Sequence, residues 1–574
     1  MKNFLFIAAI VATIPLFAQT PKYYTKAFNW NGSKNSNGLS MGLNSNNNYI
    51  ICGDTKDSTQ RWSPFFLQVN ANGDFVRVDR FPDSFYQPTP RQLVITPTKV
   101  FAGGFANDTA QSNTYAIQIE TNGNLINWNV VDDSPFVNSG YTACRTHDGG
   151  FLIGGEIQPY DPPNGQPTHP YLVKLDSAGN KLWDTIYYQY GEPYAWIESI
   201  IPAPDNGYYA LGSTKSSLWL HSDILLMHIA EDGSVLWDKI ITFGTPEFGK
   251  EVIYTNDGGF LITGYINDDA VPHGYKGLII KLNAERDIEW INDTAYISGM
   301  PHKCSIEVAD GFIFGGGKYK TAPPYDIDAC VTKLNPDGSL AWQRTHDRAA
   351  EDDYTYDMLS TPDGSYLLCG RTESYDDTLG VYRADVLLLK VNCMGLQTLP
   401  QAMFINSSID TNYLCVFQNL SQYTYPDSTD GGHYIWDFGD GTPPLQTTTD
   451  AFIPHYYPNF GTYRVSLTAI VCNDTSTYTQ TLNLWATGVS APLNDHLFEV
   501  LPNPAQDFLV ISSQASATNA TFVLYDVLGR EVLSQHLSSN NTIVTEHLPA
   551  GVYLYQIINP QNQTLQHGKI SIMH

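Results

Sequence analysis

The sequence predicts an all-β protein in which a seven-bladed β-propeller is followed by two smaller β-sandwiches. Three observations predict this fold class. One short phrase recurs seven times between residues 22 and 396. Each repeat contains four strand-like runs. The remainder of the chain keeps short alternating strands but lacks the phrase.

The repeated phrase is a run of apolar residues that closes on glycine, as in Phe151-Leu-Ile-Gly-Gly155. The closing glycines are Gly53, Gly104, Gly155, Gly212, Gly264, Gly316 and Gly370. Successive closing glycines are 51, 51, 57, 52, 52 and 54 residues apart. A fixed period of about fifty residues is typical of a repeat architecture.

Each repeat shows four short runs of apolar or β-branched residues, bounded by Gly, Asp, Asn or Pro. Such runs are typical of strands. The third and fourth runs are joined by turn dipeptides such as Asn72-Gly73 and Asp232-Gly233, which supply the positive φ of a tight hairpin. Four strands in each of seven repeats predict a seven-bladed β-propeller.

The fourth strands carry a second periodic mark. Tryptophans there are 54, 53 and 52 residues apart, at Trp183, Trp237, Trp290 and Trp342. A large ring buries more area than an aliphatic side chain does. We therefore expect these rings to pack between neighbouring sheets rather than to stack on a ligand.

The two ends of the repeat region complement each other. The seventh repeat ends at residues 391–396 without a fourth strand, and the chain begins with an orphan strand at residues 23–28. We expect this N-terminal strand to complete the last blade and close the ring over residues 22–396, which removes exposed sheet edges. The layout resembles kelch propellers and quinoprotein-type repeats, and this resemblance implies a fold without an activity.

The start of the chain predicts export. Residues 1–18 show Lys2, an apolar run and a small residue before Gln19, the pattern of a secretory signal peptide. No later segment approaches eighteen uninterrupted apolar residues, so we expect no membrane span. The net charge of -27 argues against nucleic acid as a partner.

Residues 398–485 carry a different pattern. Tyr434-Ile-Trp-Asp-Phe-Gly-Asp-Gly441 is followed by Gly461-Thr-Tyr-Arg-Val465. This segment resembles PKD domains, and the resemblance implies an immunoglobulin-like β-sandwich that serves as a spacer or a surface-interaction unit. We expect Asp437 and Asp440 to make the turn, with calcium or glycan contact as the alternative.

Residues 486–495 are small and polar and are interpreted as a linker to the last segment, residues 496–574. That segment contains Leu501-Pro-Asn-Pro504, Val523-Leu-Tyr-Asp526, Gly551-Val-Tyr553 and Gly568-Lys-Ile-Ser-Ile-Met573. It resembles the type A C-terminal sorting domain of the type IX (Por) secretion system. The resemblance implies a small β-sandwich that engages the type IX machinery and takes the protein through the periplasm. The final location is then the outer cell surface or the medium, and both remain open.

Candidate binding residues lie in the insertions between the second and third strands. Equivalent loops emerge on one face of a propeller, so these aromatic and histidine side chains either converge into a binding surface or are ordinary loop residues. They are Tyr160, His169, Trp219, His221, His273, Tyr275, Tyr319, Tyr325, Tyr375 and Tyr382.

Acidic residues recur near the start of the first strands at Glu198, Glu251 and Asp357. They either hold a cation at the mouth of the channel, with calcium the candidate cofactor, or form a solvated rim. Among the cysteines, Cys415 and Cys472 lie on two strands of the PKD-like segment and are the candidate disulfide.

Familiar catalytic motifs are missing: the sequence has no His-Glu-x-x-His, no Gly-x-Ser-x-Gly and no Cys-x-x-Cys. The favoured hypothesis is therefore a secreted or surface protein whose propeller binds an extracellular glycan or protein. The alternative is a carbohydrate- or polymer-active enzyme with its site on one propeller face.

Overall fold

The computed structural model describes residues 22–573 apart from short segments. The segments left out are 31–34, 57–61, 82–86, 108–111, 132–135, 159–166, 191–193, 217–220, 269–273, 295–303, 321–325, 349–350, 377–380, 409–412, 425–431, 449–451, 485–497, 514–519, 528, 538–539 and 562–563. The signal peptide and the linker at 486–495 therefore lie outside the described residues. The chain divides into two compact units, one of residues 1–458 and 463–482 and the other of residues 459–462 and 483–574.

The described strands before residue 392 form groups of four antiparallel strands that follow the seven repeats of the sequence and are called sheets 1 to 7. Sheets 7 and 1 are joined by one parallel pair, Asn35 with Ala384. The chain enters as β1 (Tyr24–Phe28). Sheet 1 is β2 (Asn35–Leu43), β3 (Tyr49–Lys56), β4 (Trp62–Val69) and β5 (Phe75–Arg80). Sheet 2 is β6 (Gln87–Ile95), β7 (Lys99–Asn107), β8 (Ser112–Glu120) and β9 (Leu125–Val130). Sheet 3 is β10 (Val137–Arg145), β11 (Phe151–Gln158), β12 (His169–Leu175) and β13 (Lys181–Ile186), followed by a 3-10 turn (Tyr188–Tyr190).

Sheet 4 is β14 (Tyr194–Pro202), β15 (Tyr208–Ser216), β16 (His221–Ile229) and β17 (Val235–Ile241). Sheet 5 is β18 (Glu247–Tyr254), β19 (Phe260–Asn267), β20 (Tyr275–Leu282) and β21 (Ile288–Asn292). Sheet 6 is β22 (Ser305–Val308), β23 (Gly311–Tyr319), β24 (Ile327–Leu334) and β25 (Leu340–His346). Sheet 7 is β26 (Asp353–Ser360), β27 (Tyr366–Asp376) and β28 (Val381–Val391), and its fourth strand is β1.

The order of these sheets is cyclic. The first strand of each sheet contacts the first strand of the next, and β26 of sheet 7 contacts β2 of sheet 1. The N-terminal strand β1 pairs antiparallel with β28 from Tyr24 opposite Lys390 to Phe28 opposite Val386. This is the arrangement of a β-propeller, with the first strands at its centre. The expected all-β, propeller-like fold is confirmed.

Neighbouring sheets are joined by a repeated contact. One residue in the turn after each third strand has positive φ, and at five of these seven turns a ring from the preceding sheet lies against it. A Cβ at Gly338 would lie 2.6 Å from the Trp290 ring, and one at Gly73 would lie 2.3 Å from the ring of Tyr24 in β1. At the fifth hairpin Arg286 replaces the glycine and its guanidinium lies 4.6 Å from the centre of the Trp237 ring. The tryptophans thus pack between sheets, as expected, and Tyr24 makes the same contact at the seam between sheets 7 and 1.

Charged pairs stabilise one end of the sheets. This end is opposite to the one that carries the loops between second and third strands. Four buried lysines of third strands ion-pair with an aspartate in the turn between the first and second strands of the same sheet, at 2.6 to 2.9 Å. The pairs are Lys174–Asp148, Lys281–Asp257, Lys333–Asp310 and Lys390–Asp363. Burial makes each partner necessary, because an unpaired buried ammonium is strongly destabilising.

The PKD-like segment forms two facing sheets, one of β29, β30 and β33 and one of β32, β31, β34 and β35. The strands are β29 (Phe404–Ser408), β30 (Leu414–Asn419), β31 (His433–Asp437), β32 (Leu445–Thr447), β33 (Ile453–Tyr456), β34 (Gly461–Val471) and β35 (Asp474–Leu484). Trp436 is fully buried between them. Asp437 and Asp440 accept backbone hydrogen bonds from Gly439 at 2.9 Å and from Thr442 at 3.0 Å, so both carboxylates hold the turn.

The last segment is a second small sandwich. Its sheets are β36, β37 and β40, and β39, β38, β41 and β42. The strands are β36 (Phe498–Leu501), β37 (Phe508–Ser513), β38 (Thr521–Tyr525), β39 (Glu531–His536), β40 (Asn540–Val544), β41 (Gly551–Ile558) and β42 (Thr564–Ile572). Asn503 donates to the Lys569 carbonyl at 2.8 Å and accepts from the Ser571 backbone at 2.9 Å. The Leu501-Pro-Asn-Pro504 motif therefore anchors the terminal strand.

The disulfide expected between Cys415 and Cys472 is wrong. Cys472 is bonded to Cys393, with Cα atoms 6.0 Å apart, and Cys415 is a buried free thiol. The physical reason is topology: Cys415 lies on β30 in one sheet of the sandwich, whereas Cys472 lies in the turn after β34 of the other sheet. That turn reaches the hairpin of sheet 7, where Cys393 follows β28.

Within the part of the chain that the structure describes, no helix is long and apolar enough to cross a membrane.

We expect Tyr24→Ala to lower the free energy of unfolding by about 3 kcal/mol, because it empties the space beneath the Gly73 hairpin at the seam. Tyr24→Phe is the matched control: the Tyr24 hydroxyl is buried without a hydrogen-bond partner, so its loss should be close to neutral. Denaturant unfolding followed by far-UV circular dichroism measures both. Equal losses for the two variants would contradict the packing role of the ring.

The aspartate–lysine pairs predict acid sensitivity. Hydrogen bonds from Thr146 and Lys174 lower the pKa of Asp148 to about 2. Burial raises the pKa of Asp363, but hydrogen bonds from Lys390, Thr361 and Ser365 outweigh it and hold that pKa well below its usual range. Because these carboxyls have pKa values of about 4 when unfolded, their contribution is present above pH 4 and is lost as the pH falls towards 2.

Asp363→Asn should therefore lower the free energy of unfolding at pH 7 by about 2 kcal/mol and flatten its loss between pH 4 and pH 2. Lys390→Met, which removes the buried charge as well, should be less harmful. Urea unfolding curves over this pH range test the pair. An unchanged slope in Asp363→Asn would show that the pair does not cause the acid sensitivity.

Candidate binding cavity

Six first strands carry a β-bulge at the same place. Pairing with the second strand skips one residue in each, and the skipped residues are Leu39, Arg91, Tyr141, Glu198, Lys250 and Tyr356. A bulge leaves its extra residue unpaired and re-aims the side chain, and bulges are frequent beside functional sites.

The closing glycine of the repeated phrase makes room for the bulge. A Cβ at Gly212 would lie 1.8 Å from the carbonyl oxygen of Trp196, and one at Gly155 would lie 1.8 Å from that of Ser139. Each of these carbonyls belongs to the residue two positions before a bulge residue. Any other amino acid would force the two strands apart, so the periodic glycine and the bulge are one structural feature.

All six bulge residues line one cavity of about 660 Å³ where the first strands meet. Four further residues complete its lining: Asn37, Asp54, Trp62 and Arg371. Asn37 lies near the start of a first strand, Asp54 near the end of a second strand, Trp62 at the start of a third strand and Arg371 in the middle of the long second strand β27. The cavity therefore lies towards the end of the sheets that carries the loops between second and third strands.

The residue after each bulge fastens one sheet to the next. Ser40 accepts a hydrogen bond from the backbone of Leu93 at 3.1 Å, and Thr142 accepts one from Ile200 at 3.3 Å. Asp357 of sheet 7 accepts from the Ser40 hydroxyl and the Met41 backbone, both at 2.8 Å. These clamps hold the bulge residues in fixed positions around the cavity.

The three acidic residues expected at the channel have different roles. Glu198 lines the cavity, where its carboxylate ion-pairs with Lys250 at 2.7 Å. Glu251 accepts a hydrogen bond from Ser305 of the next sheet, and Asp357 belongs to the clamp just described. All three thus make contacts between sheets, and Glu198 lines the cavity as well.

A separate group of three carboxylates lies close enough together to hold a metal ion. It comprises Asp326, Asp328 and Asp347. The Lys320 ammonium ion-pairs with all three, at 2.8, 3.0 and 2.8 Å. A lysine therefore already balances the charge at this place.

One corner of the cavity combines two guanidinium groups with a buried acid. Burial raises the pKa of Asp54, and the hydrogen bond from Asn37 at 2.6 Å and the charges of Arg91 and Arg371 act against that rise. Burial also raises the pKa of Tyr356 to about 12, with Arg371, Asp54 and Arg91 as its charged neighbours. These four groups therefore lie within electrostatic reach of one another.

The other side of the cavity is aromatic around the Glu198–Lys250 pair. Trp196 donates to Glu198 at 3.2 Å, and Tyr141 donates to Glu156 at 2.6 Å. Burial raises the pKa of Glu156. Rings continue outward from this side, with Phe248 stacked on Trp196 at 6.2 Å and Tyr265 on Phe248 at 4.7 Å, measured between ring centres.

Of the ten candidate loop residues, Tyr275 extends this aromatic row, 5.4 Å from the Tyr265 ring. Tyr319 lies near Tyr275. Burial raises the pKa of Tyr319, and the charges of Asp352 and Tyr275 raise it further. Tyr375 and Tyr382 form an exposed pair on sheet 7, with rings 5.0 Å apart.

His169 is buried, 4.9 Å from the Tyr188 ring. The remaining candidates, Tyr160, Trp219, His273 and Tyr325, lie outside the described residues, as does the side chain of His221 at the start of β16. Among the described part of the chain, the cavity lining contains none of the ten.

Of the six bulge residues, only Glu198 was expected at the channel from the sequence, although all six leave a signal. Leu39, Tyr141, Glu198, Lys250 and Tyr356 each precede a closing glycine by 14 residues, and Arg91 does so by 13. Their residue types differ, so only the spacing identifies them.

Two family models match the chain. One is the PKD domain, at residues 399–485, and the other is the secretion system C-terminal sorting domain, at residues 499–572. Residues 499–572 are a C-terminal sorting domain. The protein is therefore exported by the type IX secretion system to the cell surface or the extracellular space. Among curated proteins, none matches this chain.

Solved structures give distant similarities. A thermostable family-43 glycoside hydrolase has 10% identity and a TM-score of 0.30, covering 46% of this chain and 94% of its own. An ulvan lyase of a new polysaccharide lyase family has 9% identity and a TM-score of 0.42, covering 63% and 96%. A mutant apocarotenoid oxygenase of Synechocystis has 13% identity and a TM-score of 0.28, covering 42% and 56%. All three TM-scores lie below 0.5, too low to place the chain with any of these proteins.

Removal of residues 500–574 should leave the protein in the periplasm with its propeller folded, because the sorting domain is lost and the first unit keeps its own core. Fractionation of cells that carry the type IX machinery, with protease resistance of the propeller as the control for folding, measures this. Undiminished delivery of the truncated chain to the surface would contradict the role of the sorting domain.

Proposed function

We propose that this exported protein is a binding protein whose central cavity takes an extracellular glycan. The observation that carries the proposal is the convergence of six bulged residues on one cavity. At about 660 Å³, its volume lies within the range of roughly 300–1,000 Å³ that is usual for ligand sites.

The lining supports a polar, ring-containing ligand. Trp62, Tyr141 and Tyr356 offer aromatic surface, while Asn37, Asp54 and the charged residues offer hydrogen bonds in several directions. A sugar ring presents apolar C–H faces and a rim of hydroxyl groups, and it can use both kinds of contact. The aromatic row from Trp196 to Tyr275 extends this surface outward, which suits a chain longer than one sugar.

A second candidate function is cleavage of the bound polymer. Asp54 favours it, because burial raises the pKa of this carboxyl and a carboxyl that keeps its proton can act as a general acid. Glu198 on the other side is ion-paired to Lys250 at 2.7 Å. Binding is the preferred function because Glu198, the second carboxylate that cleavage would use, is already ion-paired to Lys250.

The full-length protein should retain polysaccharides from a panel of neutral and acidic polymers, in affinity electrophoresis run with calcium and with chelator. Trp62→Ala should weaken retention roughly tenfold, since removal of an aromatic anchor has an effect of this order. Tyr456→Ala, which removes an exposed ring from the PKD domain, is the control and should leave retention unchanged.

Product analysis of the same incubations separates the two functions. Release of oligosaccharides by the wild type but not by Asp54→Asn would favour the enzyme. Retention that is identical in Trp62→Ala and the wild type would contradict the cavity as the binding site.

A further inference from the structure

We propose that the glycan taken by the cavity is acidic, and that Arg91 and Arg371 bind its oxyanion, a carboxylate or a sulfate ester. This inference rests on the proposed function and names the chemical class of its ligand.

The charges of the cavity differ from those of the chain. The chain has 58 acidic residues against 31 lysines and arginines, whereas the cavity lining has three cations, Arg91, Lys250 and Arg371, and two carboxylates, Asp54 and Glu198. Glu198 and Lys250 neutralise each other at 2.7 Å. Glu373 pairs with Arg371, so the Arg91 guanidinium faces the Asp54 carboxyl without an ion pair among the described residues.

Arg91 has donors that the protein leaves unused. Its Nε is buried and makes no hydrogen bond, and among the described residues no acceptor takes a hydrogen bond from its guanidinium group. Its contacts are with the face of Phe105, 5.1 Å from the ring centre, and with the field of Asp54. Because the Nε has no accessible surface, the terminal nitrogens of the half-buried guanidinium are the donors that a ligand in the cavity would meet.

Arg371 provides the second group. One end of its guanidinium is fixed by Glu373, while its buried Nε also makes no hydrogen bond. Both arginines act on the same Asp54 carboxyl and the same Tyr356 phenol, which places them on one side of the cavity. The planar guanidinium matches the two oxygens of a carboxylate or sulfate, a geometry that lysine does not provide.

An acidic sugar is favoured over an acidic peptide as the ligand that carries this oxyanion. The reason is the aromatic part of the lining, Trp62, Tyr141 and Tyr356. They line the same cavity as the arginines and offer ring faces to the apolar faces of a pyranose.

Isothermal titration of the full-length protein tests the proposal with four probes of similar length: a uronate oligosaccharide, a sulfated oligosaccharide, a neutral cello-oligosaccharide and a glutamate peptide. We expect one of the two acidic oligosaccharides to bind best, and the comparison of uronate with sulfate identifies the source of the oxyanion. Binding should weaken as salt is raised.

Arg91→Gln should weaken binding of the acidic oligosaccharide about tenfold or more, and Arg371→Gln should act in the same direction. Arg91→Lys should recover only part of the loss, because it keeps the charge without the planar fork. Arg80→Gln is the matched control, since Arg80 is exposed on β5 and the change removes the same charge outside the cavity. Thermal unfolding of each variant identifies any that fail to fold, and in that case the salt dependence of the wild type remains as the readout.

The failures are distinguishable. A neutral oligosaccharide that binds as well as the acidic ones, with no effect of Arg91→Gln, would overturn the acidic ligand and leave the glycan cavity standing. Tight binding of the glutamate peptide alone would overturn both the glycan and this inference. Equal losses in Arg91→Gln and Arg80→Gln would show that the net charge of the protein, and not the cavity, attracts the ligand.

Discussion

The close approach of the first and second strands at each closing glycine is the constraint on which the first unit depends. At Gly53, Gly155, Gly212 and Gly370 a Cβ would lie 1.8 Å from a carbonyl oxygen of the first strand. This approach permits the bulge, and the bulge has two consequences. The bulged side chain turns into the central cavity, and the residue after it hydrogen-bonds to the next sheet. Assembly of the sheets and construction of the cavity thus share one cause.

Charged side chains have different roles at the two ends of the sheets. The turns between first and second strands hold the lysine–aspartate pairs, whose ammonium groups are buried and have fixed partners. The cavity lies towards the other end, where Arg91 and Arg371 keep unpaired donors. A buried charge is tolerated when its partner is in place, whereas one that is left unsatisfied is costly without a ligand. This separation lets the sheets stay stable while the cavity carries unpaired groups.

The sequence was sufficient for the fold because the fold depends on periodic features. Glycines that make room for a bulge, hairpin residues with positive φ and rings that fill the seams recur in most repeats, so their spacing is visible in one chain. The cavity depends on residues that must differ from sheet to sheet, since a ring of identical side chains could not build a polar corner and an aromatic side. Arg91, Tyr141 and Glu198 share a position but no chemistry, and composition gives no sign of them. The pairing of Cys472 was missed for another reason: a strand pattern indicates which residues are buried, but it does not show which turn meets a neighbouring domain.

The chain ends of the propeller meet at the place where the PKD domain is attached. β1 pairs with β28, and the residues just before β1 bind the turn after β34, where Lys22 and Tyr23 both contact the Asp474 carboxylate. The same turn holds Cys472, which is bonded to Cys393 just after β28, and Asn473, which donates to the Asp363 carbonyl at 3.0 Å. Release of β1 would therefore break contacts with the PKD domain as well as the strand pairing. The disulfide keeps the PKD turn beside the seam even when these hydrogen bonds open, so the surface with which β1 re-pairs stays assembled. The turn of the PKD domain thus contacts both ends of the propeller chain at the seam.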